Sequence, residues 1–216
     1  MTSTSAQTAA AAPIQPRASD TFVAYVLSLC ENKRVQSDLR TGLSLRVERC
    51  NYLHRYLVRR LADRLHADAK RAHYAVAALI AARPRSAREA DAERAGQVEA
   101  VREWRARPNL GASVAAAVNA GVIKPDSAEG DLHLFSRQSS DALHVRLPAL
   151  TRHLQSGGIA LDWAVLLEDL TWWDRNRDRI ATRWLESYFR TLNHADDGDG
   201  TDAASTATTD LHEENI

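Results

Sequence analysis

The stretch from Leu161 to Leu192 most constrains what this chain can fold into, because it holds four of the five tryptophans at helical spacing. Asp162 can cap a first helix, since its carboxylate can accept hydrogen bonds from the free amides of the opening turn. Asp174 can cap a second helix, after Trp172 and Trp173 close the first. We predict that this helical hairpin forms the core of its domain. The apolar stripes are Trp163, Leu166, Leu167 and Leu170 in the first helix, and Ile180, Trp184, Tyr188 and Leu192 in the second.

The adjacent tryptophans Trp172 and Trp173 allow two interpretations. Exposed in tandem, they would suit a platform on which unpaired bases stack. Burial is the commoner role of such large apolar side chains, so we predict Trp163, Trp172 and Trp184 in the core. At most one of the tandem pair is then expected at the surface. The arginines that follow alternate with aspartates, which indicates that part of this run is a solvated and locally paired face.

The composition as a whole indicates an all-α fold. Strand signals are scarce, glycine accounts for only nine of 216 residues, and helical periodicity recurs along the chain. A charged stretch separates two helical halves, and we predict that these form two packed bundles. The predicted segments are a disordered leader (1–18), an N-terminal helical bundle (19–84), a charged connector (85–108), a C-terminal helical bundle (109–193) and a disordered acidic tail (194–216).

Charge is spread unevenly, although the formal net charge is zero. Residues 194–216 hold seven of the 28 acidic residues and no Lys or Arg, which leaves 28 basic against 21 acidic residues in the body. A body of about +7 suits a nucleic-acid partner. It suits an acidic protein partner equally, and the sign of the charge does not choose between them.

The cysteines and the hydropathy pattern indicate a cytoplasmic protein. Cys30 and Cys50 do not form a Cys-x-x-Cys pair, which argues for a reducing compartment and against a disulfide scaffold or zinc site. No apolar run is long enough to span a bilayer, and the N-terminus does not have the pattern of a signal peptide.

Motifs of catalysis are missing from the sequence. It has no phosphate-binding glycine loop, no His-Glu-x-x-His and no Gly-x-Ser-x-Gly, and its eight histidines are scattered. Asp162, Glu168, Asp169 and Asp174 could in principle form a two-metal nuclease, but helix caps and exteriors explain them. We therefore expect a binding subunit with no catalytic residues, no metal and no cofactor.

Several segments, taken in order, resemble a known family, the CasB-type small subunit of the type I-E CRISPR surveillance complex, Cascade. The most specific is Leu-Asp-Trp at 161–163 followed by Asp-Leu-x-x-Trp at 169–173. The resemblance covers about residues 20–192. Its other parts are Lys33–Gly42, Ala72–Pro84, Gly111–Asn119, Leu132–Leu154, Gly158–Ala160, Arg183–Leu185 and Tyr188–Phe189.

The resemblance implies an all-α fold of two helical bundles without catalytic activity. It also implies that two copies pack together in Cascade, beside the backbone subunits and the large subunit. Basic surfaces of the family hold nucleic acid while the CRISPR RNA invades target DNA. Carried over to this chain, the nucleic-acid-binding residues are Lys33, Arg34, Arg40, Arg46, Lys70, Arg71, Arg137, Arg146 and Arg152.

This sequence departs from the family at one basic position. The family often has a basic cluster at the start of the helix that here contains Asp131, Leu132 and His133. Two functions remain open at this stage. The chain is either a sequence-independent nucleic-acid-binding subunit or a purely architectural subunit that joins protein neighbours; an enzyme is a more remote third hypothesis.

Overall fold

The computed structural model describes the backbone of residues 16–98 and 104–199, and the side chains of residues 16–94 and 104–193. Those ranges contain helices and no strand, so the prediction of an all-α fold is confirmed. Short 3-10 turns lie at Val47–Arg49, Val58–Arg60 and Trp104–Ala106. The α-helices are α1 (Ala18–Leu29), α2 (Lys33–Arg40), α3 (His54–Leu57), α4 (Ala67–Ala82), α5 (Arg85–Val98), α6 (Leu110–Asn119), α7 (Pro125–Ser136), α8 (Ser140–Ser156), α9 (Trp163–Thr171) and α10 (Trp173–Asp199).

Polar side chains next to the first turn start several of these helices. Asn32 accepts hydrogen bonds from the amides of α2, and Asp162 accepts from those of Ala164 and Val165 at 3.1 Å, as the sequence predicts. Each such cap stabilises its helix by about 1 kcal/mol. The cap predicted at Asp174 is wrong. Its carboxylate instead accepts from the amide of Ser140, 2.8 Å away in α8, because a tertiary partner lies within reach.

One apolar core runs through both halves of the chain. Helix α9 packs against α1 and α4, while α10 packs against α6 and α7. The rings of Trp173 and Trp184 lie 4.8 Å apart at its centre, and Trp163 is also buried. The hairpin is therefore central to the core, as predicted. The core is continuous between residues 19–84 and 109–193, and the division into two bundles stays a prediction.

Helix α6 approaches α10 so closely that only glycine fits at their contact. A Cβ atom at Gly111 would overlap the backbone carbonyl group of Trp184. Backbones in direct contact bury both helices efficiently, but they leave no room for a side chain. Gly111 thus sets the distance between the last helix and the C-terminal half.

The predicted charged connector contains a helix, and the hairpin differs from expectation at one tryptophan. Residues Arg85–Val98 form helix α5, whose buried Asp91 accepts the indole N–H of Trp163 at 2.9 Å. Trp172 is 41% exposed whereas Trp173 is fully buried, so the prediction that Trp172 lies in the core is wrong, and only one of the tandem pair reaches the surface. Trp172 follows the last residue of α9, where the chain turns and the apolar stripe ends.

The predicted leader and tail fall largely outside the described residues. Helix α1 begins at Ala18, the last residue assigned to the leader. Helix α10 has a break in its helical backbone at Asn176 and continues to Asp199, six residues into the predicted tail. Residues 1–15 and 200–216 are not described.

Candidate nucleic-acid interface

Helix α2 presents three basic side chains to solvent, and two of them share one face of the helix. Leu39 is fully buried and anchors the helix on α4, which leaves Lys33, Arg34 and Arg40 exposed. Lys33 and Arg40 are seven residues apart, so they share a face and are separated by about 10 Å along the axis. Among the described side chains, none of the three has a carboxylate within 4 Å. Three cations on α2 therefore remain available to a ligand.

Arg46 and Arg71 are brought together by one carboxylate from the other half of the chain. Asp141, in the first turn of α8, lies 2.8 Å from Nη2 of Arg46 and also pairs with Nη1 of Arg71. Desolvation and the nearby Arg46 lower the pKa of Arg71, and neither changes its charge near neutral pH. Two of the nine predicted cations thus share one carboxylate within the folded chain, which offsets only one of their two charges.

Lys70 lies one helical turn after His66, whose ring contacts Trp172 of the hairpin. His66 precedes α4, and its Nδ1 atom accepts a hydrogen bond from the amide of Ala69. The His66 ring packs against Trp172 with 5.5 Å between centroids, and the guanidinium of Arg175 lies 5.6 Å from the same indole. Lys70 itself is half-buried. The start of α4 and the exposed tryptophan therefore form one surface.

The three predicted cations of the C-terminal half are exposed but not aligned. Arg137 follows the last turn of α7, while Arg146 and Arg152 lie on α8. A spacing of six residues places Arg146 and Arg152 about 120° apart around the helix. No carboxylate lies within 4 Å of any of these three in the parts of the chain that the structure covers. They extend the positive surface without forming a row of their own.

Three of the four carboxylates considered for a nuclease, all but Glu168, have hydrogen-bond partners within the fold. Asp162 accepts two hydrogen bonds from Arg107, at 2.7 and 2.8 Å, and Arg107 also reaches Asp20 on α1. Asp169 is buried, pairs with Arg183 and accepts the indole N–H of Trp184 at 2.7 Å. Burial raises the pKa of Asp169 to about 6, although Arg183 opposes that shift. The Leu-Asp-Trp and Asp-Leu-x-x-Trp motifs are thus explained by the core that they assemble.

Neither a metal centre nor a membrane span can be built from the described residues. They contain no group of three or more His, Cys, Asp or Glu side chains arranged to hold a metal ion. None of their helices combines the length and apolar character that crossing a bilayer requires.

Sequence reasoning missed a groove beside the hairpin. It has a volume of about 740 Å³ and lies between the Trp104–Ala106 turn, α9 and α10. Arg105, Arg179 and Arg190 line it, and none of them has a carboxylate within 4 Å among the described side chains. The signal in the sequence was the alternation of Arg and Asp after Trp173, from which partial pairing of the charges was predicted. Arg177 pairs with Asp178 and Arg183 with Asp169.

These observations define an all-α class of protein, with one apolar core and a surface whose lysines and arginines include several without an ion-pair partner among the described side chains. The chain belongs to the family of CRISPR-associated protein Cse2, whose family model matches residues 35–189. The resemblance drawn from the sequence is thereby confirmed.

Solved structures support the same assignment. A chain of a pre-nicking CRISPR RNA-guided surveillance complex is 36% identical, with a TM-score of 0.73, and a second surveillance-complex chain is 34% identical, with a TM-score of 0.69. Each match covers 84% of this chain and 97% of the other. M. ruber CasB shares the fold at 22% identity, with a TM-score of 0.67 over 85% of this chain and 98% of that chain. No curated protein matches.

Proposed function

We propose that this chain is the non-catalytic small subunit of a type I-E Cascade complex and binds nucleic acid without reading its sequence. In this role it stabilises the R-loop that forms between CRISPR RNA and target DNA, by holding the displaced strand. The observation that carries the proposal is that most of the predicted cations are exposed to solvent and lack a nearby carboxylate. Six of the nine are exposed and have no carboxylate within 4 Å among the described side chains, namely Lys33, Arg34, Arg40, Arg137, Arg146 and Arg152.

The energetics of R-loop formation suit such a surface. Pairing of guide RNA with target DNA is a near-even exchange for the DNA duplex that it replaces. A small additional free energy therefore decides whether the open state persists. Contacts from Lys and Arg to phosphates supply that free energy on any sequence, because every nucleotide presents the same charge. Several modest contacts spread over a surface are sufficient.

The proposed partners are the backbone and large subunits of Cascade, a second copy of this chain, target DNA and CRISPR RNA. Support comes from the two similar chains, which are parts of CRISPR RNA-guided surveillance complexes and match this chain over nearly their whole length. Exposed apolar side chains suit protein contacts of this kind. Tyr52 is 69% exposed and Val145 is 61% exposed.

Salt dependence tests the proposal directly. The full chain should bind fluorescently labelled single-stranded DNA with an affinity that falls linearly on a plot of log K against log salt concentration. The slope should be about −0.7 for each phosphate contacted. Two strands of unrelated sequence should bind equally well. Binding that ignores salt, or that follows the sequence, contradicts the proposal.

The architectural alternative keeps one observation in its favour. Arg46 and Arg71 are already paired within the chain, so some of the basic residues serve structure. In an architectural subunit, the remaining cations would pair with acidic surfaces of neighbouring proteins. Crosslinking in the assembled complex separates the two functions. Crosslinks from α2 to nucleic acid support the binding function, and crosslinks to protein alone support the architectural one.

A further inference from the structure

Trp172 is the exposed member of an otherwise buried set of hairpin tryptophans. Its neighbour Trp173 is fully buried, and Trp163 and Trp184 are buried as well. Leaving 41% of an indole in water forgoes apolar burial that this chain achieves at the adjacent position. Core packing therefore does not explain the position of Trp172.

The surroundings of Trp172 resemble a site for a planar ligand. His66 packs on the indole at a centroid distance of 5.5 Å with the two planes inclined by 47°. The guanidinium of Arg175 lies 5.6 Å from the centre of the same ring. An imidazole and a guanidinium beside an exposed indole supply the stacking and cation–π contacts that nucleobases use.

The groove of about 740 Å³ continues from this indole along α10. Trp104 lies in its wall as a second aromatic side chain, and Arg105, Arg179 and Arg190 line it without an ion-pair partner among the described residues. Its acidic residues are Glu168, Asp169, Asp178 and Glu186. Asp169 and Asp178 are engaged by Arg183 and Arg177, which leaves two unpaired carboxylates against three unpaired guanidiniums.

The exposed indole also adjoins residues predicted to bind phosphate. His66 directly precedes α4, so Lys70 lies one turn from it on the same face, and Arg71 follows. Arg71 shares Asp141 with Arg46. A strand held at the start of α4 would therefore meet Trp172 before it entered the groove.

From this arrangement we propose that Trp172 is a stacking platform for an unpaired nucleobase, and that the neighbouring groove holds the phosphates on either side of that base. The inference rests on the proposed function and deepens it. If Trp172 stacks on a base, this surface should bind single-stranded nucleic acid more tightly than duplex, because a base within a duplex presents no free face to the indole.

Abasic strands isolate the stacking contact. The full chain is titrated with oligothymidine and with an abasic strand of the same length, which carries the same phosphates but no bases. The wild-type chain should bind oligothymidine more tightly. Trp172→Ala should weaken binding of oligothymidine roughly 5- to 150-fold and leave binding of the abasic strand unchanged. Trp172→Phe, which keeps an aromatic ring, should retain most of the preference.

Tryptophan fluorescence gives a second readout that does not depend on the alanine variant folding. Oligothymidine should quench the emission of the wild-type chain, since Trp172 is exposed and half-buried Trp104 lines the same groove, while the other three tryptophans are buried. Trp172→Phe should bind with little loss and lose the part of the quenching that comes from Trp172, and the quenching that remains reports Trp104. Oligouridine in a parallel titration distinguishes an RNA strand from a DNA strand as the preferred source of the base.

The outcomes separate this inference from the function on which it rests. Equal binding of oligothymidine and the abasic strand by the wild-type chain, in a salt-dependent manner, overturns the stacking platform and leaves the proposed function standing. Absence of salt-dependent binding to either strand overturns both. A base preference that survives in Trp172→Ala places the stacking elsewhere and also overturns the inference.

Discussion

The carboxylate of Asp141 lies 2.8 Å from Nη2 of Arg46, although the two residues are 95 positions apart in the chain. Arg71 pairs with the other oxygen of the same carboxylate. Asp141 thus occupies the position between two guanidiniums that a phosphate group could take, and it joins α8 to the N-terminal half. Two arginines of the predicted cationic surface therefore already have an ion-pair partner within the chain.

Asp141→Asn is expected to strengthen binding of single-stranded DNA. Removing the carboxylate adds one unit of positive charge at Arg46 and Arg71, so the slope of log K against log salt should steepen by about 0.7. Binding measured by fluorescence anisotropy over a salt series checks this. Asp126→Asn is the matched control, since it changes the net charge equally at an exposed carboxylate that has no ion-pair partner among the described side chains. Equal effects of the two variants contradict the prediction.

Replacement of Arg34 and Arg40 together by Gln is expected to weaken binding by a complex that still assembles. Both side chains are exposed on α2, so their loss should leave the free energy of unfolding nearly unchanged while removing two phosphate contacts. The salt slope should become shallower by about 1.4. Arg85→Gln is the control, because Glu89 already neutralises Arg85 at 2.7 Å. A double variant that binds like the wild-type complex would show that α2 does not meet nucleic acid.

His144 is expected to make the folded chain sensitive to acid. Its Nδ1 atom lies 2.7 Å from the carbonyl oxygen of Ser140, and its Nε2 atom is buried with no partner, so a charged imidazole would be stranded in the core. Burial lowers the pKa of His144 to about 4. Because the unfolded chain protonates first, the stability linked to this residue is present above about pH 6.5 and is lost as the pH falls through about 4.

The variant His144→Gln measures that contribution. Glutamine does not titrate, so the difference in free energy of unfolding between wild type and variant should shrink by about 3 kcal/mol between pH 6.5 and pH 4. Urea unfolding at several pH values follows the difference. A difference that stays constant with pH would mean that folding does not change the pKa of His144.

Gly111→Ala is expected to destabilise the chain by about 1–3 kcal/mol or more. The added methyl group meets the backbone carbonyl of Trp184, which cannot move without separating α6 from α10. Gly130→Ala is the matched control on α7, where an added Cβ has no atom within 4 Å. There the change should stabilise the helix by up to about 1 kcal/mol. Thermal unfolding of both variants checks the opposite signs.

Much of the helical framework could be predicted from local sequence. Asp162 caps α9 through amides two and three residues away, and the stripe from Trp163 to Leu170 lies on one face of a single helix. Such contacts depend on spacing alone. Asp174 shows the limit, because its partner Ser140 lies 34 positions back and displaced the expected cap.

The candidate site could be predicted only in outline. The resemblance pointed to the basic residues of α2, and they lie in solvent because Leu39 is the one buried residue of that short helix. Trp172 and Trp173 have the same side chain and adjacent positions. Which of them reaches the surface depends on where α9 ends and how α10 packs, so the groove beside Trp172 could not be predicted.

The sequence by itself determined the all-α class, the Asp162 cap of α9 and an excess of cations in the body of the chain. Periodicity, capping and composition are local or additive properties, and they need no knowledge of the fold. Only the tertiary structure decided which of the described cations remain unpaired, because Arg71 and Asp141 meet although they are 70 positions apart in the chain. Attraction between charges depends on the distance through space, and chain packing sets that distance independently of sequence separation.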